Sequence, residues 1–138
     1  MTVRVLVADD ARFMRQLIRD IIEAEGFEVV GEAADGRAAV EEFSRLQPDI
    51  VTMDIVMPKR SGIDAVKEIL ALDPTAKVAM VSALGQEALV TEALAAGAVD
   101  YIVKPFKPDA VITTLRKLAE KALRVSEDKY RNILESIE

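Results

Sequence analysis

Four apolar runs in this 138-residue chain end in residues that carry a charge or a hydroxyl. VLVADD ends in Asp9 and Asp10, DIVTMD in Asp54, KVAMVS in Ser82 and DYIVK in Lys104. Adjacent carboxylates are costly, because two unit charges about 4 Å apart repel by about 1 kcal/mol in water and about 4 kcal/mol near a protein surface. A third carboxylate at the same place calls for a cation. The chain has no histidine and no cysteine, so ligation by oxygen alone selects a hard ion, Mg2+ or Mn2+, that keeps several waters. An ion held this way, with open positions, serves phosphoryl groups. Lys104 would add a second positive charge and Ser82 a hydroxyl donor. With neither thiol nor imidazole present, an aspartate is the available nucleophile and the product an aspartyl phosphate. Neither GxGxxG nor the GxxxxGK phosphate loop occurs, so the phosphoryl donor is expected to be another protein or a small phosphate compound rather than a tightly held nucleotide.

These ends meet only if the runs lie side by side. Strand-like segments cover residues 4–9, 27–33, 49–54, 77–82 and 100–104, and helically spaced apolar residues separate them. Met14, Leu17, Ile18, Ile21 and Ile22 mark a first helix; Ala39, Val40, Phe43 and Leu46 a second; Ile63, Val66, Ile69 and Leu70 a third. Leu89, Ala93 and Ala96 mark a fourth, and Val111, Leu115, Leu118 and Ala122 a fifth. Gly26 and Gly97 stand where the first and fourth should end, and Pro48 and Pro74 follow the second and third. Strands alternating with helices imply a doubly wound α/β fold with a parallel sheet covered on both faces. FEVVGEA, which carries Glu28 and Glu32, belongs at an edge. In such sheets the ligand site lies beyond the carboxyl ends of the central strands, where the acids, the serine and the lysine would converge.

Composition narrows the function classes. The length suits one domain, and 51% apolar residues supply its core. No apolar run reaches membrane-spanning length, and MTVRVLVADD lacks the features of a signal peptide, so a soluble, cytoplasmic protein is expected. A net charge of −6 argues against direct nucleic-acid binding. Each candidate also has a plainer reading. One of Asp9 and Asp10 could cap the first helix, Asp54 and Ser82 could form turns, and Lys104 could be a solvated lysine. Met53, Met57 and Met80 fit the core, and Gly62 fits a tight backbone turn.

The stretches VLVADDARFMRQLI, GEAADGRAAVE, PDIVTMDIVMPKRSGIDAVKEI, VSALGQEALVTEAL and AGAVDYIVKPF together resemble the receiver domain of two-component response regulators, most nearly those of chemotaxis. The resemblance implies a flavodoxin-like sheet of order 2-1-3-4-5 with five helices. It implies that Asp54 accepts the phosphoryl group from a sensor histidine kinase or phosphotransfer protein. Asp9, Asp10, Asp54 and the main-chain carbonyl of Val56 would hold Mg2+, Lys104 and Ser82 would stabilise the phosphoryl group, and the Lys104–Pro105 bond would be cis. Ser82 and Tyr101 would form the switch, reshaping the face of the fourth helix, fifth strand and fifth helix toward a downstream protein or a fused output domain. Tyr101 has the alternative of a plain strand aromatic. Val56 and Leu84, two residues beyond Asp54 and Ser82, occupy positions that govern water access in the family; both being aliphatic, slow self-dephosphorylation is expected.

The resemblance covers residues 3 to about 123, which sets a receiver domain at 1–123 and a helical extension or linker at 124–138. Within the extension, the step from Val125 to Tyr130 breaks the helical period and Ser126 suits the cap of a new helix. SEDKYRNILESIE also resembles the helix that opens a PAS sensor domain. Dimerisation through the switch face or through the extension is compatible with this pattern. Two other classes compete. A Mg2+-dependent phosphohydrolase with an aspartyl nucleophile wants an acid two residues after that nucleophile, but Val56 and Ala11 stand there. A receiver that only binds proteins would not need all of Asp9, Asp10, Asp54, Ser82 and Lys104.

Overall fold

In the computed structural model, residues 2–137 are described, with side chains described as far as residue 122. Strands and helices alternate: β1 (Arg4–Ala8), α1 (Arg12–Glu23), β2 (Glu28–Ala33), α2 (Gly36–Leu46), β3 (Ile50–Asp54), α3 (Gly62–Leu72), β4 (Lys77–Ser82), α4 (Glu87–Ala95), β5 (Asp100–Val103) and α5 (Pro108–Ile137). The sheet order is β2-β1-β3-β4-β5 and every pairing is parallel. This is the flavodoxin-like order, with its switch point between β1 and β3. FEVVGEA forms the outer strand expected of it, with Glu28 exposed and only β1 as a neighbour.

Alternation along the strands divides the core in two. Leu6, Val51, Met53, Val78 and Met80 pack with Ala39 and Phe43 of α2, with Ile63, Val66 and Ile69 of α3, and with Val90 and Ala93 of α4. Val5, Val7, Ile50, Ala79, Val81 and Ile102 pack with Ile18 and Ile22 of α1 and with Val111, Leu115 and Leu118 of α5. Both faces being covered, the middle strands carry unbroken apolar runs. Burial of one such side chain stabilises the fold by about 1.5–3 kcal/mol.

Two details differ from the sequence reading. β1 and β5 stop one residue short of Asp9 and Lys104, although the main chain still pairs there: Asp9 N–H donates to the Ala33 carbonyl at 3.0 Å and Lys104 N–H to the Ser82 carbonyl at 2.7 Å. The expected new helix at Ser126 is not formed, since α5 runs as one helix from Pro108 to Ile137. Nothing after Pro108 is glycine or proline, and a serine inside a helix costs only about 0.5 kcal/mol relative to alanine. The apolar seam of Val125, Tyr130, Ile133, Leu134 and Ile137 concerns side chains outside the described residues. Among the described residues no helix is long and apolar enough to cross a membrane.

Candidate metal and phosphoryl site

The parallel sheet delivers the strand ends to one place. Asp9, Asp10 and Asp54 each offer a carboxylate oxygen within 4.8 Å of the others. Asp9 is 1% and Asp54 7% exposed, while Asp10 faces solvent. Lys104 closes the group from the far side of the sheet: its Nζ donates to Asp9 Oδ2 at 3.1 Å and lies 3.6 Å from Asp54 Oδ1. Ser82 is buried at the end of β4, between Asp54 and Lys104 in strand order. The Lys104–Pro105 peptide is cis.

Three carboxylates against one ammonium leave two negative charges at a partly buried site. Asp54 shows the strain of this directly. Burial and then the neighbouring Asp9 charge push its carboxyl up to about 6, against the lowering pull of Lys104. A divalent cation would supply the missing charge, and an all-oxygen donor set fits Mg2+. The residues present therefore fit the ion that the acids imply.

The capping explanation for the adjacent acids fails. The N-cap of α1 is Ala11, with no side-chain cap. Asp9 instead accepts from the Ala11 amide at 2.9 Å, through Oδ1, and from Lys104 through Oδ2. Asp10 has no place in that arrangement, and its position is explained by the cluster.

Val56 is 54% and Leu84 74% exposed, so both aliphatic side chains stand at the rim. Tyr101, at 44%, also points outward. Sequence reasoning missed several supports. Arg15 donates through Nη1 to the Asp9 carbonyl at 2.8 Å and through Nε to Glu32 at 3.1 Å, and Arg19 meets the same Glu32 at 2.9 Å. The spacing of Arg15 and Arg19, four apart on one helix, was a visible signal, but its partner lies on a separate strand. Phe13, 74% exposed at the start of α1, lies outside the apolar stripe of that helix.

Gly62 has a different reason from the one its sequence suggested. Its φ is not positive; rather, a Cβ there would overlap the Asp54 carbonyl. α3 thus starts directly against the backbone of Asp54. Gly62→Ala is expected to destabilise by about 1–3 kcal/mol through overpacking and to weaken Mg2+ binding as well; thermal melting and calorimetric titration check the two effects.

Residues 5–116 match the response regulator receiver domain family, and the chain belongs to it. Among its relatives, the chemotaxis protein CheY of Thermotoga maritima is 56% identical over 85% of this chain and 98% of its own length. The response regulator domain of Thermotoga maritima CheB aligns with a TM-score of 0.78 and 42% identity, over 88% of this chain and 97% of that one. A chain of the CheX–CheY–BeF3–Mg2+ complex from Borrelia burgdorferi aligns with a TM-score of 0.80 and 39% identity, covering 84% and 88%. Receiver domains of this family bind Mg2+ at such an acidic pocket, and those of the CheY type are signalling switches. The family match ends at residue 116, and the PAS-like reading of SEDKYRNILESIE, which falls beyond the described side chains, gains no support from these comparisons.

Proposed function

We propose that this chain is a phosphoacceptor switch in which Asp54 takes the phosphoryl group, Asp9, Asp10, Asp54 and the Val56 carbonyl hold Mg2+, and Lys104 and Ser82 bind the transferred oxygens. The observation that carries the reading is the convergence of three carboxylates at the strand ends, with one lysine paired to two of them, Asp9 and Asp54. Asp54 Oδ attacks phosphorus, the bond from phosphorus to the donor's imidazole nitrogen breaks, and the electron pair leaves with the imidazole. When bound, the cation neutralises charge on the acids and on the phosphoryl oxygens. Lys104 is already within reach of both Asp9 and Asp54, so only a short movement would bring it to a phosphoryl oxygen.

Phosphorylation adds about 1.5 to 2 negative charges and three acceptor oxygens. Ser82 would turn toward them and the outward Tyr101 would fold inward, altering the surface of α4, β5 and α5. The donor is a sensor histidine kinase or phosphotransfer protein, and the recipient a downstream protein or a fused output domain. The chain acts in the cytoplasm as a switch whose only chemistry is its own phosphorylation and dephosphorylation. Incubation with Mg2+ and acetyl phosphate, followed by intact mass, tests the reading: one phosphoryl adduct is expected, and steady turnover of phosphate esters with no adduct would favour a phosphohydrolase instead.

The aliphatic rim makes a separate prediction. Neither Val56 nor Leu84 can orient an attacking water by hydrogen bonding. Val56→Asn is expected to shorten the lifetime of the phosphorylated protein by about 10-fold or more, within the range for one positioned polar group. Following decay of the adduct by mass after removal of the donor measures this, and an unchanged lifetime would count against a role for position 56.

A further inference from the structure

The loop from Ile55 to Ser61 joins β3 to α3 and carries Val56. Its two ends are tied to the sheet and to α3: Ile55 N–H donates to the Val81 carbonyl at 3.1 Å, and Gly62 N–H to the Ile55 carbonyl at 2.8 Å. Its tip is held from elsewhere, by the start of α2, an element that supplies none of the acids. Asp35 caps α2 by accepting from the Ala38 amide at 2.7 Å, and its other oxygen lies 3.6 Å from Lys59 Nζ. Gly36, buried beside it, touches the backbone of Arg60 so closely that a Cβ would overlap the Arg60 carbonyl and come within 2.9 Å of its Cβ. Gly36 does not have positive φ, so what it provides is space. Lys59, by contrast, holds a left-handed φ of 65°, a conformation that costs a non-glycine residue free energy and persists only where its surroundings enforce it. Arg60 N–H closes the turn onto the Pro58 carbonyl at 2.7 Å.

We propose that the N-terminus of α2, through Asp35 and Gly36, braces the tip of the β3–α3 loop and so sets the position of the Val56 carbonyl for Mg2+. Gly36 is then a positioning residue for the metal, acting through Arg60 and the loop rather than by touching the ion. This rests on the reading of Asp9, Asp10, Asp54 and Val56 as the metal site. Adding a methyl group at Gly36 must push either the helix or the loop tip away. The loop tip is the weaker of the two, because Pro58 and Lys59 are exposed and Arg60 half-buried, whereas α2 is anchored by Ala39 and Phe43 in the core.

Calorimetric titration of the intact chain with Mg2+ provides the test. Gly36→Ala is expected to weaken Mg2+ binding by about 10-fold or more, the range found when a support behind a metal ligand is lost. Asp35→Ser keeps a capping oxygen and loses the contact with Lys59, so it should keep wild-type melting and weaken Mg2+ by a smaller factor, about 3-fold, below the range for a lost support because Lys59 is largely exposed and 3.6 Å away. Gly26→Ala is the control. Gly26 has φ of 92° with open space around it, so this substitution strains the fold without reaching the loop and should leave Mg2+ affinity unchanged. Wild-type affinity in both Gly36→Ala and Asp35→Ser overturns the proposal, as does an equal loss in Gly26→Ala; should Gly36→Ala not fold, Asp35→Ser decides alone. Asp10→Ala distinguishes the two levels: if it too binds Mg2+ normally, the metal site itself is misassigned, whereas loss there with normal binding in the α2 variants rejects only the brace.

Discussion

Asp54→Asn will acquire no phosphoryl adduct from acetyl phosphate and Mg2+, and near neutral pH without Mg2+ it will be more stable than the wild type. The first effect follows from removing the nucleophile. The second follows from the ionisation of Asp54, which burial and Asp9 raise from 3.8 to about 6. Below the unfolded value both states hold the proton and the group makes no difference. As pH rises from about 4 to about 6, the unfolded chain gives up its proton and the folded chain keeps it, so stability falls through this window. Above it the loss is complete, at about 2–3 kcal/mol. Asparagine has nearly the same shape and no charge to bury, so the variant escapes this penalty. Denaturant unfolding at several pH values checks it: the gap between variant and wild type should open between about pH 4 and about pH 6 and stay constant above. Mg2+ should then narrow the gap by stabilising the wild type, since an ion that binds only the folded state adds stability by mass action. A gap independent of pH would mean that the stabilisation has another source.

Lys104→Ala should bind Mg2+ more tightly than the wild type and yet be phosphorylated more slowly. Lys104 Nζ sits between Asp9 and Asp54 as the cation already in place, so an incoming ion meets repulsion from it. Removing it leaves three acids with no compensating charge nearby. At an effective dielectric constant of about 20, one such charge at these distances is worth about 5 kcal/mol before solvent screening. Lys104 is partly exposed, so an increase in affinity of about 10-fold, or about 1.4 kcal/mol, is the realistic expectation. The same change leaves Oδ2 of the nearly inaccessible Asp9 without its partner, while Oδ1 keeps the Ala11 amide, and the metal-free variant should lose about 1–3 kcal/mol of stability. Calorimetry, melting with and without Mg2+, and the rate of adduct formation read these separately. Weaker Mg2+ binding in the variant would show that Lys104 serves to orient the acids rather than to compete with the ion.

Much of this molecule can be read directly from its strands. Apolar runs of about five residues separated by helically spaced segments specify a parallel sheet, because both faces must be covered. Since all strands run the same way, residues that end the runs necessarily share one edge. That is why Asp9, Asp10, Asp54, Ser82 and Lys104 could be nominated together from their places in the chain. The outer position of β2 followed equally from its glutamates.

What only the tertiary structure decided are relations between residues distant in sequence. Lys104 and Asp9 are 95 positions apart, and no local pattern says that the ammonium rests on Asp9 rather than in water. The raised ionisation of Asp54 is a sum of burial and opposing charges, and each term depends on a distance. Arg15 and Glu32, Asp35 and Lys59, and Gly36 and Arg60 meet across loops and edges. Gly62 read as a turn because glycine's conformational freedom is visible in a sequence, whereas its need for space against the Asp54 carbonyl is not. Periodicity determines which face a side chain takes, since that is set by the geometry of its own backbone. Partners and ionisation arise from packing between elements, and these appear only when the chain is folded.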